Sequence, residues 1–202
     1  RSATAKRYKT ILEELKNLAL DGMVVCNYEE LDFVREYFPN LPLVTDHNLY
    51  TYNDIAKKAF HMQGAVRDTI PLELNQKEIR RRENTDSELI LYGHYPLMIS
   101  AGCVHKNAVN CDKRSQIMYL KDRYNVLFPV KNYCSDCYNI VYNSVPTLLF
   151  GEVERLKTYG ILHFRLQFTL ESAKETKNIL QLLHGNGQEI EHTKGHYKRG
   201  VE

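Results

Sequence analysis

This sequence has no apolar run near the ~20 residues that a membrane-spanning helix needs, and its opening RSATAKRYK lacks the apolar core of a signal peptide. A soluble, cytoplasmic protein is therefore the expectation. Charge of one sign is also missing: 27 basic residues against 25 acidic ones leave a formal +2. That balance does not mark a nucleic-acid coat protein or a membrane-surface protein, although it leaves room for a local basic groove. Low-complexity tracts and tandem repeats are absent. So are HExxH and GxSxG, and no cysteine stands with an evident histidine and orienting partner, so the common protease constellations are missing.

What is present is enough chain, 202 residues, for one real hydrophobic core without a disulfide framework. Apolar residues recur at helical spacing over residues 7–19, and Asp21 with Gly22 ends that helix before the short β run MVVC. EELDFVREYF reads as a helix stopped by Pro39, LPLVTD as a buried strand, and residues 53–60 as a helix capped by Asn53. AVRDTIPLEL reads as a strand disturbed by Pro71, and NQKEIRRRE as a charged helix. ELILYG, YPLMIS and HFRLQF read as further strands, and ESAKETKNILQLL as a closing helix. Alternating helices and strands predict an α/β fold, a parallel sheet covered by helices.

A segment over residues 101–143 interrupts the alternation. It reads as a hairpin, IMYLKDR and VLFPVK, joined near Tyr124 and Asn125 and flanked by two cysteine pairs. So long an excursion needs something to hold it, and a metal or cluster can supply folding energy to a small lobe. Cys103 and Cys111 are separated by seven residues, and Cys134 and Cys137 form a C-x2-C. Four thiols suit tetrahedral zinc or a four-iron cluster. A redox dithiol at Cys134 and Cys137 is a further reading. The alternative is that Ile117, Tyr119, Leu127 and Phe128 pack the hairpin down and the cysteines are incidental. Cys26, inside an apolar run, reads as core.

Other polar residues are candidates by position. Glu73 ends the third strand and could point into the mouth of a parallel α/β fold, or form an ordinary salt bridge. Asp46 and His47 follow the second strand, and His94 interrupts LILYGHYPLM as a satisfied core or rim histidine or as a substrate histidine. His163, Arg165 and Gln167 alternate along one strand face, and a charge there needs a partner or an anionic ligand. His196, Lys198 and Arg199 suit an anion, or form a solvated charge run.

Taken together, DGMVVCNYEEL, LPLVTDHNLYTYN, IPLELNQKEI, ELILYGHYPLMISAGC, LKDRYNVLFPV, CSDCYNIVYNSVP and TKGHYKRGV resemble the collagenase-like peptidase family U32, from near residue 15 to the end. The resemblance implies a single catalytic domain over residues 1–202, forming the later half of a (β/α)8-type barrel with a cysteine-rich hairpin lobe inserted. An N-terminal half of the barrel would be its partner. The family takes its name from a reported collagen-degrading activity, which implies a collagen-like peptide as substrate. Several members are instead oxygen-independent hydroxylases of a base in ribosomal or transfer RNA, or of a quinone precursor. Their resemblance implies a 4Fe-4S cluster on Cys103, Cys111, Cys134 and Cys137, prephenate as a co-substrate, and structured RNA as a partner. Under that reading Glu73, His94, Arg165 and His196 are catalytic candidates, Lys198 and Arg199 bind the anion, and Tyr92, Tyr95, Tyr138 and Tyr142 could stack on a base.

Overall fold

The structure is a computed structural model that describes residues 10–108, 111 and 113–200. Residues 10–16 are helical, so the first predicted helix closes before Asp21, and its predicted start lies outside the described residues. Then follow β1 (Met23–Val25), α1 (Tyr28–Tyr37), β2 (Leu43–Thr45), α2 (Asp54–His61), β3 (Ala65–Thr69), α3 (Gln76–Arg81) and β4 (Ser87–Gly93). After the lobe come β9 (Thr147–Leu148), α5 (Val153–Thr158), β10 (His163–Gln167) and α6 (Ala173–Leu183).

Local chemistry sets these boundaries. Asn27 caps α1 by accepting from Glu30 N at 2.8 Å, and Asn53 caps α2 by accepting from Ala56 N at 2.9 Å. Asn75 with Glu78 and Ser172 with Glu175 form reciprocal capping boxes at α3 and α6. Pro71 ends the third strand early, at Thr69, because Ile70 and the residues after it turn toward α3.

Five strands lie parallel in the order β1-β2-β3-β4-β10, and short β9 pairs antiparallel with β4 beyond the end of β3. The result is a curled, partial parallel sheet, a half-barrel with helices packed on one face. That face buries two apolar clusters, one around Val25, Leu31, Leu43 and Phe60, the other around Ile79, Leu89, Leu91, Leu156 and Ile161. Beside them Asp68, wholly buried, accepts from Arg82, from Ser87 at 2.7 Å and from Thr51 at 2.5 Å, with Lys57 3.8 Å away. Gly93 lets β10 come close: a Cβ there would sit 2.9 Å from Gln167 O.

The lobe follows β4. Its strands are β5 (Pro96–Ser100), β6 (Ile117–Lys121), β7 (Leu127–Tyr133) and β8 (Tyr138–Tyr142), with α4 (Val104–Ala108) after β5. They form a separate antiparallel sheet in the order β5-β8-β7-β6. The predicted hairpin is there as β6 and β7, turning through Asp122 to Val126. YPLMIS departs from the alternation, since it pairs antiparallel with β8 rather than entering the parallel sheet. Strand β8 carries no clear sequence signal of its own, because its residues are polar and apolar in mixed order. The opposite ends of β4 and β9 bring the lobe in and out at the C-terminal end of the parallel strands. There Lys131 Nζ donates to Thr169 O at 2.9 Å and ties the lobe to the loop after β10.

Candidate active site and cysteine lobe

Because the five strands are parallel, the residues just past each one share one end of the sheet: Cys26, Asp46, Glu73, His94 and Glu171. Arg165 lies on the sheet face away from the helices, as Phe164 and Leu166 pack against the apolar cluster on the other side. Its guanidinium donates to Asp46 at 2.9 Å, to Thr69 at 2.7 Å and to Glu88. The predicted need for a partner is thus met by two carboxylates of the same chain. Arg67 meets His163 Nε2 at 3.1 Å on the same face. Burial disfavours the charged Asp46, but the bonds from His47 and the charge of Arg165 outweigh it and hold the carboxyl far below the usual carboxylate range. Arg165 is in turn held protonated by Asp46 and Glu88 against its own burial.

Cys26 is not core. It is half-buried at this mouth, its thiol donating to Asp46 Oδ2 at 3.5 Å. Burial first, and the Asp46 charge second, push that thiol up to about 12, so it stays protonated at neutral pH.

His94 and Glu171 form a second group. His94 Nδ1 lies 3.0 Å from Asn143 O, and its Nε2 lies 3.9 Å from Glu171 Oε1. Glu171 accepts from Thr169 N at 2.7 Å and Leu170 N at 3.0 Å through Oε2, and from the Tyr92 hydroxyl at 2.9 Å through Oε1. Burial, then Glu171, raise the Tyr92 phenol. Glu73 stands apart, between Tyr52 and Tyr95. Burial raises both phenols, Tyr95 to about 12, and the Glu73 charge adds to each. One Glu73 oxygen, Oε2, is buried without a hydrogen-bond partner.

The tail is held by main-chain and side-chain bonds. Thr193 pairs with Thr147, and Lys194 Nζ donates to Glu152 at 2.5 Å. Gly200, at φ +77°, backs onto the α3 cap, where a Cβ would meet Asn75 Nδ2 at 2.8 Å. His196 turns its Nδ1 to Gly200 O at 2.9 Å, while Lys198 and Arg199 are exposed. Among the described residues no hydrogen bond or ion pair joins any two of Glu73, His94, Arg165 and His196.

Cys103, Cys134 and Cys137 lie at one end of the lobe sheet. Ser100 pairs with Asn139, so Cys103 just past β5 and Cys137 just before β8 share that end. Tyr133 pairs with Tyr138, and the turn between them carries Cys134 and Cys137, the latter left-handed at φ 57°. Arg114 O accepts from Cys134 Sγ and from Asn132 Nδ2, both at 3.2 Å, which lays the segment after Cys111 alongside. Buried Asn139 holds the Cys103 side by donating to Ser100 O at 3.3 Å and Gly102 O at 2.8 Å. Among the described residues no disulfide joins any of the cysteines. The sulfurs are not drawn together: among the described residues no three His, Cys, Asp or Glu side chains group tightly enough to hold a metal ion.

Sequence reading passed over Glu171 and gave Asp46 little weight. Position at or just past a strand end was the available signal, and position at a strand end singled out Glu73. Beyond these residues, no helix among those described is long and apolar enough to cross a membrane. No solved structure matches the chain. A sequence model described as peptidase family U32 matches residues 1–194.

Proposed function

We propose, because this chain belongs to peptidase family U32, that it supplies the later strands of a (β/α)8-type catalytic barrel and performs an iron–sulfur-dependent, oxygen-independent hydroxylation of an RNA base. The observation that carries this reading is that Cys103, Cys134 and Cys137 share one end of the lobe sheet, which hangs at the C-terminal mouth of the parallel strands. Their chemistry fits a four-iron cluster in kind: thiolates only, from two turns and one loop braced by Asn132 and Asn139. Cys103, Cys111, Cys134 and Cys137 would hold it, and the bound cluster would supply electron transfer.

The chain's own residues would do the rest. His94, fixed through Asn143 O, and Glu171 offer proton acceptors at the mouth. Tyr133 and Tyr138, stacked at 4.8 Å beside the C-x2-C, offer an aromatic plane, and Lys131 lies 5.6 Å from the Tyr133 ring. A carboxylate co-substrate such as prephenate would meet Lys198 and Arg199, since Arg165 already serves two carboxylates.

Anaerobic purification with iron and sulfide analysis tests the reading. About four of each per chain is expected, with loss of both in Cys134→Ser/Cys137→Ser. Protein free of iron and sulfide sinks it, and tightly held zinc in their place would point to a structural lobe.

Peptide-bond hydrolysis is the second reading, and the family's description supports it more directly than hydroxylation. Cleavage of denatured collagen that survives replacement of all four cysteines would establish it over a cluster-centred mechanism.

A further inference from the structure

A cleft of about 550 Å3 separates the lobe from α6. Its polar end is His94 with Glu171. The Asn143 carbonyl can only accept, so His94 Nδ1 carries the ring proton, and in the neutral ring Nε2 is a bare acceptor. That acceptor faces a second one, Glu171 Oε1, across 3.9 Å. Two acceptors do not bond each other. A nitrogen placed about 2.9 Å from each would see them at about 85°, within reach of two N–H bonds of one ammonium group.

Charge points the same way. The Glu171 side chain is 4% exposed, and its three hydrogen bonds all come from neutral donors, two main-chain N–H groups and the Tyr92 hydroxyl. Glu175, one helical turn on, and Glu191 add carboxylates to the lining, against the single lysine Lys174. The opposite wall is apolar: Ile117, Tyr119 and Pro129 from the lobe. A buried carboxylate without a fixed cation, beside an apolar wall, suits a ligand with one cationic end.

We propose that this cleft binds a primary ammonium group carried on an apolar body, the nitrogen donating to both His94 Nε2 and Glu171 Oε1 and the body lying on Ile117 and Tyr119. The site does not depend on which reaction the mouth performs, so it stands or falls apart from the cluster.

The test is calorimetric titration of the whole chain at neutral pH with phenethylamine, 2-phenylethanol and 3-phenylpropanoate. The amine should bind at least tenfold more tightly than the alcohol, and the acid should not bind. His94→Ala and Glu171→Gln should each weaken the amine by tenfold or more and leave the alcohol unchanged. Glu171 also braces its own loop, so Tyr119→Ala, on an exposed residue, serves as the variant that spares the fold and should weaken both ligands alike. Equal binding of amine and alcohol in the unaltered chain, or no amine binding, overturns the proposal.

Discussion

At the residue scale, Asp68, Asp46 and Arg165 are placed where a partner offsets the cost of leaving water. Asp68 is the strongest case, wholly buried between Arg82 and Lys57. Removing one member of such a set leaves uncompensated charge, so Asp68→Ala should cost about 3–5 kcal/mol, read from denaturant midpoints. Asp46 and Glu83 add a pH dependence. Both carboxyls titrate below their ordinary values in the folded chain, Asp46 through His47 and Arg165 against its burial, Glu83 first through Lys57 and to about 2. A depressed folded pKa means stability fully present above the unfolded carboxylate range near ~4 and lost as pH falls through the folded values. Midpoints should hold between pH 7 and 5 as far as these groups matter, then fall steadily from pH 4 toward 2, and Asp46→Asn should flatten part of that fall. Cys26 gives the opposite signature. Its thiol, pushed up to about 12, should be the slowest to alkylate with iodoacetamide at pH 7.5, behind exposed Cys111 and Cys137, as mapped by mass spectrometry.

At the scale of elements, helix starts were legible because capping is local. Asn53 reads as a cap in sequence and is one in the structure, accepting from Ala56 N. The hairpin of β6 and β7 was legible for the same reason, two β runs around a short polar turn. YPLMIS was misplaced because an apolar run says strand but not which sheet, and pairing of Met98 with Val141 is a contact across more than forty residues. The lobe's own test lies in its two buried asparagines. Asn139→Ala removes bonds to Ser100 O and Gly102 O and leaves two carbonyls without that donor, a cost of about 1–3 kcal/mol. Hydrogen exchange should then speed up at residues 100–107 and in β8 while β1 to β4 keep their protection. Equal acceleration in both sheets would mean the lobe does not move as its own unit.

At the scale of the molecule, the parallel sheet ends on β1 and β10, neither of which has a second neighbour among the described residues. Val24 of β1 and Val66 of β3 are each 51% exposed. An open parallel edge beside exposed apolar residues favours pairing with another sheet. The isolated chain should therefore self-associate with rising concentration in sedimentation velocity, and Val24→Lys should shift it toward monomer. An unaltered chain that stays monomeric at high concentration would show that this edge is already satisfied.

Sequence alone determined what depends on neighbours along the chain: the alternation of helices and strands, the cap at Asn53, the central hairpin, and family membership, because motifs and periodicities are local patterns. Four cysteines in 101–143 were equally plain. Only the tertiary structure decided which distant groups meet, since contacts across strands and between sheets follow register and topology rather than spacing. Arg165 proved to be held by Asp46, 119 positions away, and Glu88. Cys26 moved from core to mouth, and His94 gained Glu171 as its counterpart across an open cleft.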